Sequence, residues 1–217
     1  HNYNQSRYYD KTGQEPKVWK GYDAYAQTRD AVAYIRNHAT QPAQSRKPFG
    51  LFLSWGPPHA PYRTGPTKWV DRYDSRKLSL RQNVPPQLGR QARSTYAGYY
   101  AHCSALDECV GWLVEALKES GQLENTILVY TSDHGDMLHS RGQLKKQRPW
   151  DESIRVPFLV RCPSSLKVKP RRLEAPINTP DIMPTLLDLA GVQIPGSVEG
   201  ENFADVIRGQ RKLEDNH

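Results

Sequence analysis

Two strings in the 217-residue sequence set ionisable residues in a turn that follows an apolar run. In T-S-D-H-G-D, Thr131 to Asp136, a carboxylate and an imidazole stand side by side at Asp133 and His134, just ahead of Gly135. Adjacent oxygen and nitrogen donors suit a divalent cation, and the glycine lets the backbone bend close to it. The same residues also suit an Asx-turn with a solvent-facing histidine. In W-G-P-P-H-A-P-Y, Trp55 to Tyr62, His59 sits among prolines, where on local grounds a plain loop histidine is the commoner reading. A third string places Lys145-Lys146 ahead of W-D-E-S-I-R-V-P. A lysine aimed into a pocket holds an anionic oxygen as a point charge and stabilises charge building up on it; a lysine pair is also at home in solvent.

Such residues act only if the elements around them fix their directions. Tyr25, Ala31, Val32 and Ile35 recur near helical spacing and predict a helix over 22–38. The apolar run Phe49 to Ser54 predicts a strand that stops at Gly56-Pro57-Pro58, leaving His59 in a loop beyond its carboxyl end. From Thr95 a second helix is predicted, with Leu106, Val110, Leu113 and Leu117 on one stripe and Gly121 at its end. Strands are expected at Thr126 to Ser132 and Val156 to Val160, and Thr179-Pro180-Asp181 reads as the capped start of a helix that Gly191 closes. Residues 61–93 are polar and proline-bearing without a sustained period, and read as a long excursion or flexible insertion. Helices alternating with buried strands predict an α/β fold with a largely parallel central sheet, in which ligands gather beyond the carboxyl ends of the strands.

Composition narrows the partners. Thirty Lys and Arg against 23 Asp and Glu give a formal net charge of +7, a surface that favours anions. The cations are scattered, without an arginine-rich tract, zinc-finger spacing or RNA-binding aromatic signature, which argues against nucleic acid. Cys103, Cys109 and Cys162 form no C-x-x-C pair and are expected as free thiols. No apolar run reaches the length of a membrane span.

Taken together, T-S-D-H-G-D-M-L, P-F-G-L-F-L-S-W-G-P-P-H-A-P-Y and D-I-M-P-T-L-L-D-L-A-G-V ending in V-E-G-E-N-F resemble the type I sulfatases of the alkaline phosphatase superfamily. The resemblance implies an alkaline-phosphatase-like sandwich and the hydrolysis of a sulfate monoester, with a sulfated small molecule or glycan as substrate and carbohydrate sulfate as its most natural form. Asp133 and His134 match the family's metal-ligand pair, for Ca2+ in the first instance, with Mg2+ or a softer divalent ion open. His59 matches the histidine that contacts sulfate or its leaving oxygen. Lys146, ten residues before Val156, matches the sulfate-binding lysine, in preference to Lys145. Arg141 stands where members often place a histidine.

The family nucleophile, a formylglycine made from the cysteine of C-x-P-S-R, has no counterpart: Cys162-Pro163-Ser164-Ser165 has the wrong order and follows the metal pair. Residues 1–217 are therefore expected to be part of a single sulfatase catalytic domain, without the N-terminal nucleophile segment or the C-terminal subdomain, and inactive alone. A periplasmic, secreted or lysosomal location is implied by resemblance, and oligomeric state is left open. A phosphonate or phosphate ester hydrolase of the same superfamily, or a non-catalytic homologue, are the alternatives.

Overall fold

Small side chains on two helices explain the first of the chain's two units, residues 1–121 with 134–155. A computed structural model describes residues 2–10 and 12–212. Helix α1 (Asp23–Ala39) carries Asp23 in its first turn and Arg36 and His38 in its last, charges that complement the helix dipole. The long helix α3 (Gly89–Glu119) starts earlier than its apolar stripe predicts. Of that stripe, Leu106 and Leu117 are buried while Val110 and Leu113 are only half-buried. Ala101, Ala105 and Cys109, four apart on one face, are among the residues fully removed from solvent, and Ala105, Leu106 and Cys109 pack with Ala24 of α1, Tyr3 and Tyr22. Small residues let the helices approach closely, and each buried leucine contributes roughly 1.5–3 kcal/mol. Gly121, at φ +68°, ends α3 as expected.

A short antiparallel pair, β1 (Arg7–Tyr9) with β2 (Pro16–Val18), precedes α1. Residues 61–93 form a long excursion, one of the two readings of the sequence. They contain α2 (Thr67–Val70) and two single 3-10 turns, Ser75–Lys77 and Pro86–Leu88, tied down by side-chain bonds to backbone carbonyls such as Arg93 Nε to Leu78 O, 3.1 Å. Helix α4 (Asp151–Ile154) completes this unit.

The second unit comprises residues 122–133 and 156–217. Here β3 (Leu128–Thr131) pairs antiparallel with β4 (Phe158–Arg161), Leu128 opposite Arg161 and Thr131 opposite Phe158. Helix α5 (Thr179–Leu189) is capped one residue earlier than predicted: Asn178 donates its N–H to the Asp181 carboxylate at 2.7 Å, which makes Thr179 and Pro180 the first helical residues. With α6 (Ala204–Arg208) it forms a small core of Leu189, Ala204 and Ile207.

The α/β class holds, and two of the three predicted strands are present. Both pairings among the described residues are antiparallel, where a largely parallel sheet was expected. The predicted strand at Phe49 to Ser54 is a correction: it pairs with no strand among the described residues, and Phe52 is 95% exposed. An apolar run becomes a strand only when a partner takes up its N–H and C=O groups. The three cysteines are free, and burial pushes the thiols of Cys103 and Cys109 up to about 11, so they stay protonated. No helix among the described residues is long and apolar enough to cross a membrane.

Candidate active site

Within the first unit, His59, His134 and Lys146 come together from two separate stretches of chain. His59 follows a turn in which its N–H donates to Gly56 O at 3.3 Å. Its ring donates Nδ1–H to Ala60 O at 2.8 Å, and its Nε2 accepts from Lys146 Nζ at 2.9 Å. A carbonyl can only accept and an ammonium can only donate, so this imidazole is neutral, with its lone pair on Nε2. The His134 ring stands edge-on to it, 6.0 Å between centroids at 74°. His134 likewise donates Nδ1–H to its neighbour's carbonyl, Gly135 O, at 2.7 Å.

Three remote groups set the His59 loop. The Tyr3 hydroxyl bridges Gly56 O and Ala60 O, at 3.2 and 3.4 Å. Inside α3, His102 is fully buried; Tyr22 donates its hydroxyl to Nδ1 at 2.7 Å and Nε2–H donates to Pro61 O at 3.3 Å. Burial lowers the His102 pKa to about 4, which keeps that tautomer neutral. Gly98 of α3 lies so close to Tyr62 that a Cβ there would stand 2.2 Å from the Tyr62 carbonyl oxygen.

The His134 turn and the Lys146 loop are fixed as tightly. Gly135 donates its N–H to Ser153 O at 2.8 Å, and a Cβ on it would fall 2.2 Å from Glu152 O, so only glycine fits. Beyond it, Leu138, His139, Arg141, Lys145 and Gln147 all have positive φ, between 44° and 71°. Each left-handed residue costs about 1–2 kcal/mol, a strain that persists only where bonds over-determine the backbone. Those bonds are present. Asp136, 7% exposed, accepts from Leu138 N–H at 3.0 Å, Lys145 N–H at 3.1 Å and the Tyr62 hydroxyl at 2.7 Å. Arg81 donates to the carbonyls of Asp136 and Met137 at 3.2 Å. Thr95 meets His139 Nε2 at 2.9 Å, and Arg141 lays its guanidinium over Trp150, 5.1 Å from the ring centroid.

Of the residues singled out in the sequence, the structure thus joins His59, His134 and Lys146, and it is Lys146, half-buried, that reaches His59, while Lys145 is exposed. Asp133 is exposed and ends a stretch of the second unit, with Ser132 Oγ 3.4 Å from its carboxylate. Among the described residues no three His, Cys, Asp or Glu side chains gather as a metal cage. The donor types at Asp133 and His134, a carboxylate oxygen and an imidazole nitrogen, suit a divalent cation. Sequence reasoning missed Tyr62, Asp136, Arg81 and His102. Tyr62 and Asp136 lie inside the two marked strings, where their signal was masked by the more reactive neighbours; Arg81 and His102 have no local signal.

The sulfatase family model matches residues 1–192. The chain is 40% identical over 210 residues to an ulvan-active sulfatase of Formosa agariphila, a match covering 96% of this chain and 40% of that protein. It is 33% identical over 211 residues to an endo-4-O-sulfatase of Bacteroides thetaiotaomicron, covering 92% of this chain and 40% of that protein. A solved structure from Bacteroides thetaiotaomicron, reported with that organism's metabolism of multiple glycosaminoglycans, superposes at a TM-score of 0.87 with 30% identity, covering 98% of this chain and 45% of that one. A phosphonate monoester hydrolase of Silicibacter pomeroyi, at TM-score 0.70 and 24% identity over 97% of this chain and 47% of that one, shares the fold. The chain spans 40% of the length of each of the two curated relatives. These likenesses bear out the α/β, alkaline-phosphatase-like architecture.

Proposed function

This chain belongs to the sulfatase family, and from that premise we propose that the protein carrying it hydrolyses a sulfate monoester on a carbohydrate. One observation carries the reading: Lys146 Nζ and His59 Nε2 meet at 2.9 Å from separate loops, an ammonium and an imidazole converging where the oxygens of an anion would enter. The relatives named for ulvan and for endo-4-O-sulfate removal support a sulfated glycan as the substrate class.

In this reading Lys146 turns its donors from His59 to a sulfate oxygen and holds the charge that builds there as the ester breaks. Release of that contact frees the His59 Nε2 lone pair to take up a proton from solvent, and the imidazolium so formed would pass that proton to the departing sugar oxygen, while Ala60 O keeps the ring oriented through Nδ1–H. Asp133 and His134 are the residues that would hold the divalent cation, Ca2+ first, with Mg2+ or a softer ion open because one donor is nitrogen. Such a cation, when bound, neutralises negative charge on the sulfate oxygens. The family's formylglycine would come from a C-x-P-S-R string that this sequence does not contain.

The test is release of sulfate from sulfated oligosaccharides by the whole protein, beside hydrolysis of a phosphonate monoester. The proposal expects kcat/KM to favour the sulfate ester by at least about 100-fold, the discrimination a site built for one anion can reach. A preference of that size for the phosphonate would overturn it.

A further inference from the structure

We propose that Asp136 is a positioning residue that sets the contact between His59 and Lys146, with the Tyr62 hydroxyl as its link to the His59 loop. The inference rests on the proposed function only in taking those two side chains to face one anion.

Asp136 is a single buried carboxylate with donors from three directions. Tyr62, which bonds Oδ2, lies three residues after His59. Lys145, whose N–H bonds Oδ1, immediately precedes Lys146. Asp136 itself lies two residues after His134. A shift of this one carboxylate is therefore felt at all three side chains of the site. The bond to Leu138 N–H alone would be an ordinary Asx-turn, which orders its own loop and nothing else. The bond to Tyr62 spans 74 residues of sequence and has no such local purpose.

Two further features make Asp136 an anchor instead of a passenger. Arg81 grips the carbonyls of Asp136 and Met137, which fixes the backbone from which the carboxylate projects. Burial and the bond to Asp136 hold the Tyr62 phenol far above its ordinary pKa, so it remains a donor at every working pH. The His59 loop keeps its ties to Tyr3 and His102 when the Tyr62 hydroxyl is removed, so the loss should appear as play between the two loops and not as unfolding.

The experiment follows acetylation of lysines by N-hydroxysuccinimidyl acetate, resolved by site with mass spectrometry, in the whole protein and its Tyr62→Phe and Asp136→Asn variants. Tyr62→Phe keeps the ring and removes only the hydroxyl. Lys146 should react about fivefold faster in both variants, the release expected from losing one buried hydrogen bond. Lys68, paired with Glu108 in the same unit, should keep its rate. An unchanged Lys146 rate, or an equal rise at Lys68, would overturn the proposal, the second because it signals general loosening. A double-mutant cycle on sulfate-ester turnover adds a second reading: Tyr62→Phe should slow the parent and have little effect once Lys146 is alanine, and additive losses would count against positioning. If the parent hydrolyses no sulfate ester, the functional reading fails, while the labelling still decides the role of Asp136.

Discussion

Residues 49–54 and residues 56–64 are neighbours in the chain and opposites in how they are held. The first stretch is apolar, strand-like in sequence, and unpaired among the described residues, with Leu51 43% and Phe52 95% exposed. The second is irregular and proline-rich, yet its carbonyls at Gly56, Ala60, Pro61 and Thr64 are taken up by Tyr3, His102 and Asn4. Hydrophobic pattern promised order where the unit supplies no partner, and polar composition concealed order where it supplies several. The ordered stretch carries His59. Chemistry in this unit therefore depends on side chains that answer backbone carbonyls from a distance, and not on the regularity of the chain next to it.

The largest break in that comparison should come from pH. His102 has an ordinary pKa of 6.5 and is held at about 4 by burial, so between those values the unfolded chain binds the extra proton and stability rises with pH. The contribution is complete above about 6.5 and is lost as pH falls toward 4, a loss of ~3 kcal/mol. Urea unfolding from pH 4 to 8 should show this slope in the parent. In His102→Gln, which keeps a donor for Pro61 O but does not titrate, the slope should be flatter; equal slopes would remove His102 as its source.

A smaller break is steric. Gly98→Ala should destabilise by ~2–3 kcal/mol, because the new Cβ meets the Tyr62 backbone. Gly111→Ala is the control on the same helix: nothing lies within 4 Å of its Cβ position, so helix propensity should stabilise by about 0.5–1 kcal/mol. The same sign at both sites in chemical denaturation would show that Gly98 does not press on the loop.

These two helical positions also show what the sequence could and could not reveal. Helices α1, α3 and α5 and strands β3 and β4 follow from local period and turn chemistry, which act within a few residues. The Asp-His-Gly turn, His59 and Lys146 were visible as residue types in the right strings. The clamp was not. His102 looks like any polar residue of a helix until Pro61 is known to lie beside it, and Arg81 sits in a stretch with no period at all. The run at 49–54 failed for the complementary reason, since strand formation needs a partner that no local pattern specifies. Ala101, Ala105 and Cys109 are fully buried on α3, yet they are less apolar than the leucines that drew the stripe.

The smallest effect belongs to the other side of the comparison. Phe52→Ser should leave the stability of this 217-residue chain within about 0.5 kcal/mol, as for other exposed substitutions. A measured loss above about 1 kcal/mol would show that residues 49–54 are packed as firmly as the His59 loop.

The central claim, that Lys146 and His59 address one sulfate ester in different ways, is tested most directly by rate constants across a series of leaving groups in the whole protein. Lys146→Ala should lower every rate by roughly 100-fold, in parallel with the parent, because Lys146 holds charge on oxygens that do not depart. His59→Ala should hurt sugar alcohols far more than an activated nitrophenol, whose oxygen needs little help from an acid. Parent-like rates in Lys146→Ala for all substrates, together with parallel slopes for His59→Ala and the parent, would contradict it.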